Sequence, residues 1–196
     1  MKIVIISGTP GVGKTTVASL LKNLIDGIVI SLTKFVLEND LFEMWDEERE
    51  TRIIDEEKVR DGLLQKIDQM VKTMEFSYII VEGNFADIIG DKAHHAIVLR
   101  LHPDVLRKRL EDRNYKKEKI KENVQAEILG VCSGHMKEIL GYSFHDIDTT
   151  GKNEQDVSRI CKDVIEGNVE PDIYKPGLID WISSTDINLI EEFKKE

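Results

Sequence analysis

Short apolar runs alternate along this chain with segments whose apolar residues recur every three or four positions. Five runs read as buried strands: Lys2–Ser7 (KIVIIS), Gly27–Ser31 (GIVIS), Ser77–Gly83 (SYIIVEG), Ala96–Leu101 (AIVLRL) and Phe144–Asp148 (FHDID). The segments between them have helical period. One helix starts near Gly13 with Val17, Leu20, Leu21 and Leu24 inward. A second follows Asp55, an N-cap with Glu56 and Glu57 in the first turn, and carries Val59, Leu63, Ile67, Met70 and Met74. Pro103 suits the first position of a third. Ile120, Val124, Ile128, Val131 and Ile139 predict one long helix over Lys116–Leu140. Asn153 caps a last helix, with Val157, Ile160, Cys161, Val164 and Ile165 inward and Gly167 closing it. Strand and helix in alternation predict an α/β fold on a mostly parallel sheet.

Three stretches fit that rhythm poorly. Leu32–Ile54 is too long for a plain connection and reads either as an extra surface helix or as a substrate-binding flap. Glu111–Asn123 is dense in charge, which predicts a solvated helix face or a lid that closes on a ligand. Beyond Gly167, NVEPDIYKPGLIDW has two prolines and no period; it reads as a tail lying across the domain, with Trp181 as its anchor.

A length of 196 residues fits one domain with a substantial core. Acidic residues outnumber basic ones, 37 to 27, for a net charge of −10. That balance argues against a general nucleic-acid surface, so no direct sequence-specific nucleic-acid binding is expected. It leaves room for a basic protein partner. Cys132 and Cys161 are far apart and form no Cys-x-x-Cys, so free thiols in a reducing compartment are expected. The apolar start after Lys2 is too short for a signal peptide, and no run reaches membrane-span length; the expectation is a cytoplasmic protein with no membrane partner.

The chemistry enters at Gly8-Thr9-Pro10-Gly11-Val12-Gly13-Lys14-Thr15, which matches the Walker A pattern at every fixed position, after a predicted strand and at the start of a predicted helix. Glycines let successive backbone N–H groups turn inward around an anion, and the helix start adds its positive dipole end. In such a loop Lys14 bridges the β- and γ-phosphates of ATP, and the Thr15 hydroxyl joins a magnesium ion that shares those phosphates. Thr16 is next in line for an α- or β-phosphate oxygen. A switch GTPase is excluded by the lack of an Asn-Lys-x-Asp after a late strand; Asp87–Gly90 (DIIG) has no such companion. Arg109 and Arg113 lie four apart on one helix face, where planar guanidiniums suit phosphate oxygens. Pairing with Glu111 and Asp112 is the plainer alternative. Glu82 ends the third predicted strand, at the edge where parallel sheets bind ligands. It could hold magnesium through water, orient an attacking water, or simply face solvent.

GTPGVGKTT, WDEERETRIIDEEKV, IIVEGN, VLRLHPDVLRKRLEDRNYKKEKIKENVQAEI and DIDTTGKN together resemble the family of adenylate kinase isoenzyme 6, the coilin-interacting nuclear ATPase, in its archaeal branch. The closing YKPGLIDW is similar to archaeal members too, so the resemblance spans Ile3 to about Trp181. The lid arginine and tyrosine followed by an Asn-x-x-x-Glu helix are its most telling part. The resemblance implies a three-layer P-loop nucleoside-monophosphate kinase fold with a five-stranded parallel sheet. It implies transfer of the ATP γ-phosphate to AMP or other nucleoside monophosphates, with ATPase activity alongside. It further implies a role in maturation of the small ribosomal subunit and its rRNA, through transient contact with ribosomal protein eleven of that subunit in a pre-ribosomal particle. By the same carry-over, residues 1–196 form a single P-loop kinase domain with a monophosphate-binding flap at 31–54, a lid at 112–122 and a C-terminal tail at 167–196. Lys14, Glu82, Arg109 and Arg113 are the expected catalytic residues. Gly11, Gly13, Lys14, Thr15, Thr16, Arg113 and Lys152 are expected to hold ATP, with Lys152 near the adenine, and Thr15 and Glu82 to hold magnesium.

Three positions depart from the family pattern. Asn84 stands where a histidine is usual, and an amide can position water but cannot take a proton. Leu37 replaces a basic flap residue, with Lys34 one turn earlier as a substitute. Asn114 replaces a glycine between the lid arginine and Tyr115, a mild change because Asn tolerates left-handed backbone. A ribosome-assembly ATPase switch with little true kinase activity is the alternative reading, under which the Leu37 and Asn84 changes are less surprising. A kinase for another small acceptor is a third reading, since fold does not fix substrate.

Overall fold

The structure, a computed structural model, describes residues 1–46, 51–170 and 172–184. Along the chain come β1 (Lys2–Ser7), α1 (Lys14–Leu24), β2 (Gly27–Ser31), α2 (Leu32–Glu38), β3 (Phe42–Asp46), β4 (Thr51–Ile54) and α3 (Glu56–Thr73). Then follow β5 (Tyr78–Glu82), a 3-10 segment over Ala86–Lys92, β6 (His95–Arg100), α4 (Pro103–Asp112), α5 (Lys117–Ile128) and α6 (Val131–Leu140). The chain closes with β7 (His145–Asp148), α7 (Glu154–Glu166) and the short α8 (Trp181–Ser184).

Five strands form one parallel sheet in the order β2-β5-β1-β6-β7. Both faces of this sheet are covered, which is why β1, β2, β5 and β6 read as apolar runs. One core layer gathers Val4, Ile6, Ile80, Ile97 and Leu99 with α1, α4, α5 and α7. The other gathers Ile5, Ile79, Val81 and Val98 with α2, α3 and the 3-10 segment. Together they make the expected three-layer α/β arrangement. β1 is central, with β5 on one side and β6 on the other, so the chain reverses direction of travel across the sheet there. Ligands bind such sheets at the carboxyl ends beside that reversal.

Several expectations needed revision. The helix expected over Lys116–Leu140 is two, α5 and α6, because Gly130 takes a left-handed φ of 64° between them. The apolar period runs on across the break, but Ile139 is 43% exposed. Leu24 is exposed rather than inward; α1 ends at it, and the next residue, Ile25, turns into the core. Met74 caps α3 and is exposed for the same reason. The Leu32–Ile54 stretch is neither a loop nor a single surface helix. It holds α2 and an antiparallel β3–β4 pair, although residues 47–50 lie outside the described residues. Trp181 is buried as an anchor of the tail, of which 185–196 lie outside the described residues. Among the described residues, no helix is long and apolar enough to cross a membrane. Cys132 and Cys161 are free and buried.

Candidate functional site

The loop between β1 and α1 turns at the carboxyl end of the central strand. Two of its glycines are needed for the turn. Gly11 sits at φ 100°, and a Cβ there would lie 2.7 Å from Leu106 of α4. Gly13 sits at φ 108° and is the N-cap of α1. Such angles are open to glycine at little cost. The helix underneath therefore packs against bare backbone, and the loop is held as a shallow ring.

Lys14 lies inside that ring. Its Nζ donates to the carbonyls of Gly8 at 2.7 Å and Thr9 at 3.0 Å. Burial holds its ammonium below the ordinary lysine pKa, against the opposing pull of the Glu82 and Glu127 carboxylates. Thr15 and Thr16, in the first turn of α1, are exposed. The Thr15 hydroxyl donates to Glu82 Oε2 at 3.2 Å. Glu82 is only 3% exposed, so it is not a strand-end acid facing solvent. A hydroxyl and a carboxylate side by side are hard oxygen donors, and they fit a magnesium ion whose remaining ligands are phosphate oxygens and water.

Arg109 and Arg113 separate in role. The half-buried Arg109 donates to the Val12 carbonyl at 3.4 Å, and its guanidinium would lie 3.8 Å from a Cβ on Gly13. Arg113 is the exposed C-cap of α4 and faces the same cleft as Lys14. Asn114 follows in the left-handed region at φ 56°, as its chemistry allows. Lys152 lies on the loop after β7 with its Nζ donating to the Asp148 carbonyl at 2.9 Å; it does not line the cleft.

One cleft of about 1160 Å³ brings together Lys14, Thr15, Glu82 and Arg113 of these residues; Thr16 and Arg109 do not line it. One wall is the loop, with Thr9, Gly11, Lys14 and Thr15. The cleft is also lined by Ser31 at the end of β2 and by Lys34, Val36 and Leu37 of α2. Glu82 and Asn84 line it too, as do several residues between Arg113 and Asn123. Its lining carries five side chains of Lys or Arg (Lys14, Lys34, Arg113, Lys116 and Lys119) against two carboxylates, Glu82 and Glu122. A cleft of this size and sign, within a protein of net charge −10, suits a polyanion.

Sequence reasoning missed the support behind the loop. Thr9 donates to Glu127 Oε2 at 2.5 Å, from helix α5, and Asn123, one turn before Glu127, is buried in the cleft wall. Period alone reads both as a solvated face. The Asn-x-x-x-Glu spacing is the one signal in the sequence that sets them apart.

Comparison with known proteins shows the family and the fold. The AAA domain family model matches residues 4–130. A Methanosarcina barkeri protein named "Putative adenylate kinase" is 38% identical over 183 residues, 90% of this chain and 96% of that protein. A Methanocaldococcus jannaschii protein of the same name is 35% identical, covering 90% of each. Among solved structures, shikimate kinase from Acinetobacter baumannii in complex with shikimate superposes with TM-score 0.57 at 16% identity, over 86% of this chain and 94% of that one. Thymidylate kinase from Candida albicans superposes with TM-score 0.51 at 15% identity, over 85% and 92%. At those identities the two structures speak for the P-loop kinase fold alone.

Proposed function

The chain belongs to the family of archaeal adenylate-kinase homologues, and from that premise we propose that it is an ATP-dependent nucleoside-monophosphate kinase of the adenylate kinase isoenzyme 6 type. It moves the γ-phosphate of magnesium-ATP to AMP or a related monophosphate. The observation that carries this is one cleft lined by both the phosphate loop and α2. In this reading α2 and the β3–β4 pair are the monophosphate flap, and 112–122 is the lid.

The chain's own groups divide the work. Lys14 leaves the Gly8 and Thr9 carbonyls to bridge the β- and γ-phosphates, and the anion restores the charge that burial disfavours. Thr15 and Glu82 would hold magnesium, which neutralises charge on the β- and γ-oxygens when bound. Arg113 closes on the transferring group, and Arg109 braces the loop at Val12. Lys34 takes the acceptor phosphate in place of Leu37. An acceptor phosphate oxygen attacks the γ-phosphorus, and the bond to the bridging oxygen breaks to leave ADP. A phosphate oxygen that is already ionised needs no base, whereas a water must lose a proton. Asn84 in the cleft can orient either but deprotonate neither, which favours transfer over hydrolysis.

Formation of ADP from ATP, measured with and without AMP, tests the reading. Strong AMP dependence with a second equivalent of ADP as product is expected; turnover indifferent to AMP would remove the kinase. The second reading is an assembly ATPase in small-subunit maturation. The net charge of −10 supports it, because an acidic surface suits a basic ribosomal protein. Capture of that ribosomal protein that does not change with nucleotide would count against it.

A further inference from the structure

The buried carboxylate of Glu127 has its two oxygens committed to different tasks. Oε1 accepts from Arg100 Nε at 2.8 Å, from the backbone N–H of Leu101 at 3.1 Å and from Trp181 Nε1 at 3.2 Å. Oε2 is left to accept from Thr9 Oγ1. The Thr9 carbonyl in turn accepts from Lys14 Nζ. Glu127 is 1% exposed and Arg100 3%. Arg100 also donates to the Glu127 carbonyl at 2.8 Å, which fixes the backbone of α5 at that residue. Trp181 is itself held, stacked edge-on against His102 with ring centres 5.2 Å apart.

A buried ion pair of this kind is weak evidence for stability, because desolvation offsets much of its attraction. Its geometry is better explained by what the second oxygen does. Three donors on Oε1, from β6, the residue after it and the tail, leave the carboxylate no freedom to rotate. Oε2 is then a fixed acceptor aimed at the phosphate loop. We propose that Glu127 is a positioning residue for phosphate binding: through Thr9 it sets the height of the loop, and through Trp181 the C-terminal segment takes part in setting it. The inference rests on the nucleotide reading of the cleft. It adds that α5, whose first half lies within the charged 112–122 segment, and the tail both bear on where Lys14 sits.

The test measures binding of a non-hydrolysable ATP analogue with magnesium, ADP formation and thermal unfolding, in the full chain. Thr9→Val keeps the shape and removes the donor; Thr9→Ser keeps the donor. The valine variant should lose about tenfold in kcat/KM for ATP, the equivalent of ~1.4 kcal/mol, while the serine variant stays within about twofold of wild type. Trp181→Phe should lose less, and combined with Thr9→Val it should add little, because both act through one carboxylate. Equal behaviour of the valine and wild-type proteins would overturn the inference while leaving the nucleotide reading intact. So would a serine variant that falls as far as valine, or Trp181→Phe losses that multiply with those of Thr9→Val. Wild-type protein that bound no analogue would overturn both. Should Thr9→Val not fold, the Trp181→Phe binding constant decides alone: a value unchanged from wild type refutes the tail's part in setting the loop.

Discussion

At the residue scale, Lys14 joins the most constraints in the least space. It is buried, and its ammonium donates to the backbone carbonyls of Gly8 and Thr9. Lys14→Ala should abolish ATP-dependent turnover, measured as ADP release, since it removes the ammonium held at the Gly8 and Thr9 carbonyls. Its lowered pKa also has a sign. Phosphate binding needs the protonated amine, so kcat/KM for ATP should fall on the alkaline side as pH rises through a value below the ordinary 10.5. Folding runs the other way: the native state holds this proton less tightly than the unfolded chain, so Lys14 favours the apo fold more as pH rises toward 10.5. Arg113 differs in kind, being exposed at the rim. Arg113→Ala should lower kcat by tenfold or more with little change in the dissociation constant of an ATP analogue, as expected of a group that acts on the transition state. Equal losses in both would make it a surface residue. Asn114 offers a backbone test at the next position. At φ 56°, Asn114→Gly should melt at or above the wild-type temperature, and Asn114→Ala should lose roughly 1 kcal/mol.

At the element scale, what could be read in advance follows from how each element is buried. β1, β2, β5 and β6 are apolar through most of their length because both sheet faces are covered, while the edge strand β7 (HDID) is short and polar; all five were legible to within a residue or two. The phosphate loop was legible because its backbone demands glycine. The break at Gly130 was not, because α5 and α6 keep their apolar residues in one period across it and only the φ of one residue interrupts them. The β3–β4 pair was hidden by a run of charge, and Glu127 by the rule that glutamate on a helix faces water. The 3-10 segment had no periodic signal, and its placement depends on tertiary contacts. Arg60 of α3 grips it with a two-pronged bond to Asp91, at 2.8 and 2.9 Å, and a further bond to the Ile88 carbonyl. The Arg60 hydrogen bonds hold the Asp91 pKa down to about 2 from an ordinary 3.8. A lowered carboxylate stabilises the fold above its unfolded pKa and ceases to as pH falls through the folded one. Asp91→Asn should therefore melt below wild type at pH 7, and the gap should close between about pH 4 and pH 2. Water screens this exposed pair, so the neutral-pH difference should be ~0.5–1 kcal/mol. A gap unchanged at pH 2 would assign the effect to something other than charge.

At the scale of the whole molecule, the two walls of the cleft come from distant parts of one chain. The phosphate loop belongs to the central strand, α2 to the edge strand β2, and the 112–122 segment to the crossover between β6 and β7. A donor that fills only the loop touches two of these three parts. A donor and an acceptor together touch all three, and the segments around them lose solvent access as a set. Hydrogen exchange separates the cases. ATP analogue with magnesium should slow exchange at residues 8–16 and 112–122 and leave 31–42 near its free rate. A dinucleoside pentaphosphate, which carries both nucleosides on one phosphate chain, should slow all three. The acceptor side is the harder demand, because Leu37 contributes no charge there and Lys34 must supply it alone from α2. Lys34→Ala should then remove the extra protection at 31–42 while preserving that at 8–16. If the pentaphosphate protects no more than the ATP analogue does, the second half of the cleft does not take a nucleotide, and turnover belongs to hydrolysis or to another acceptor.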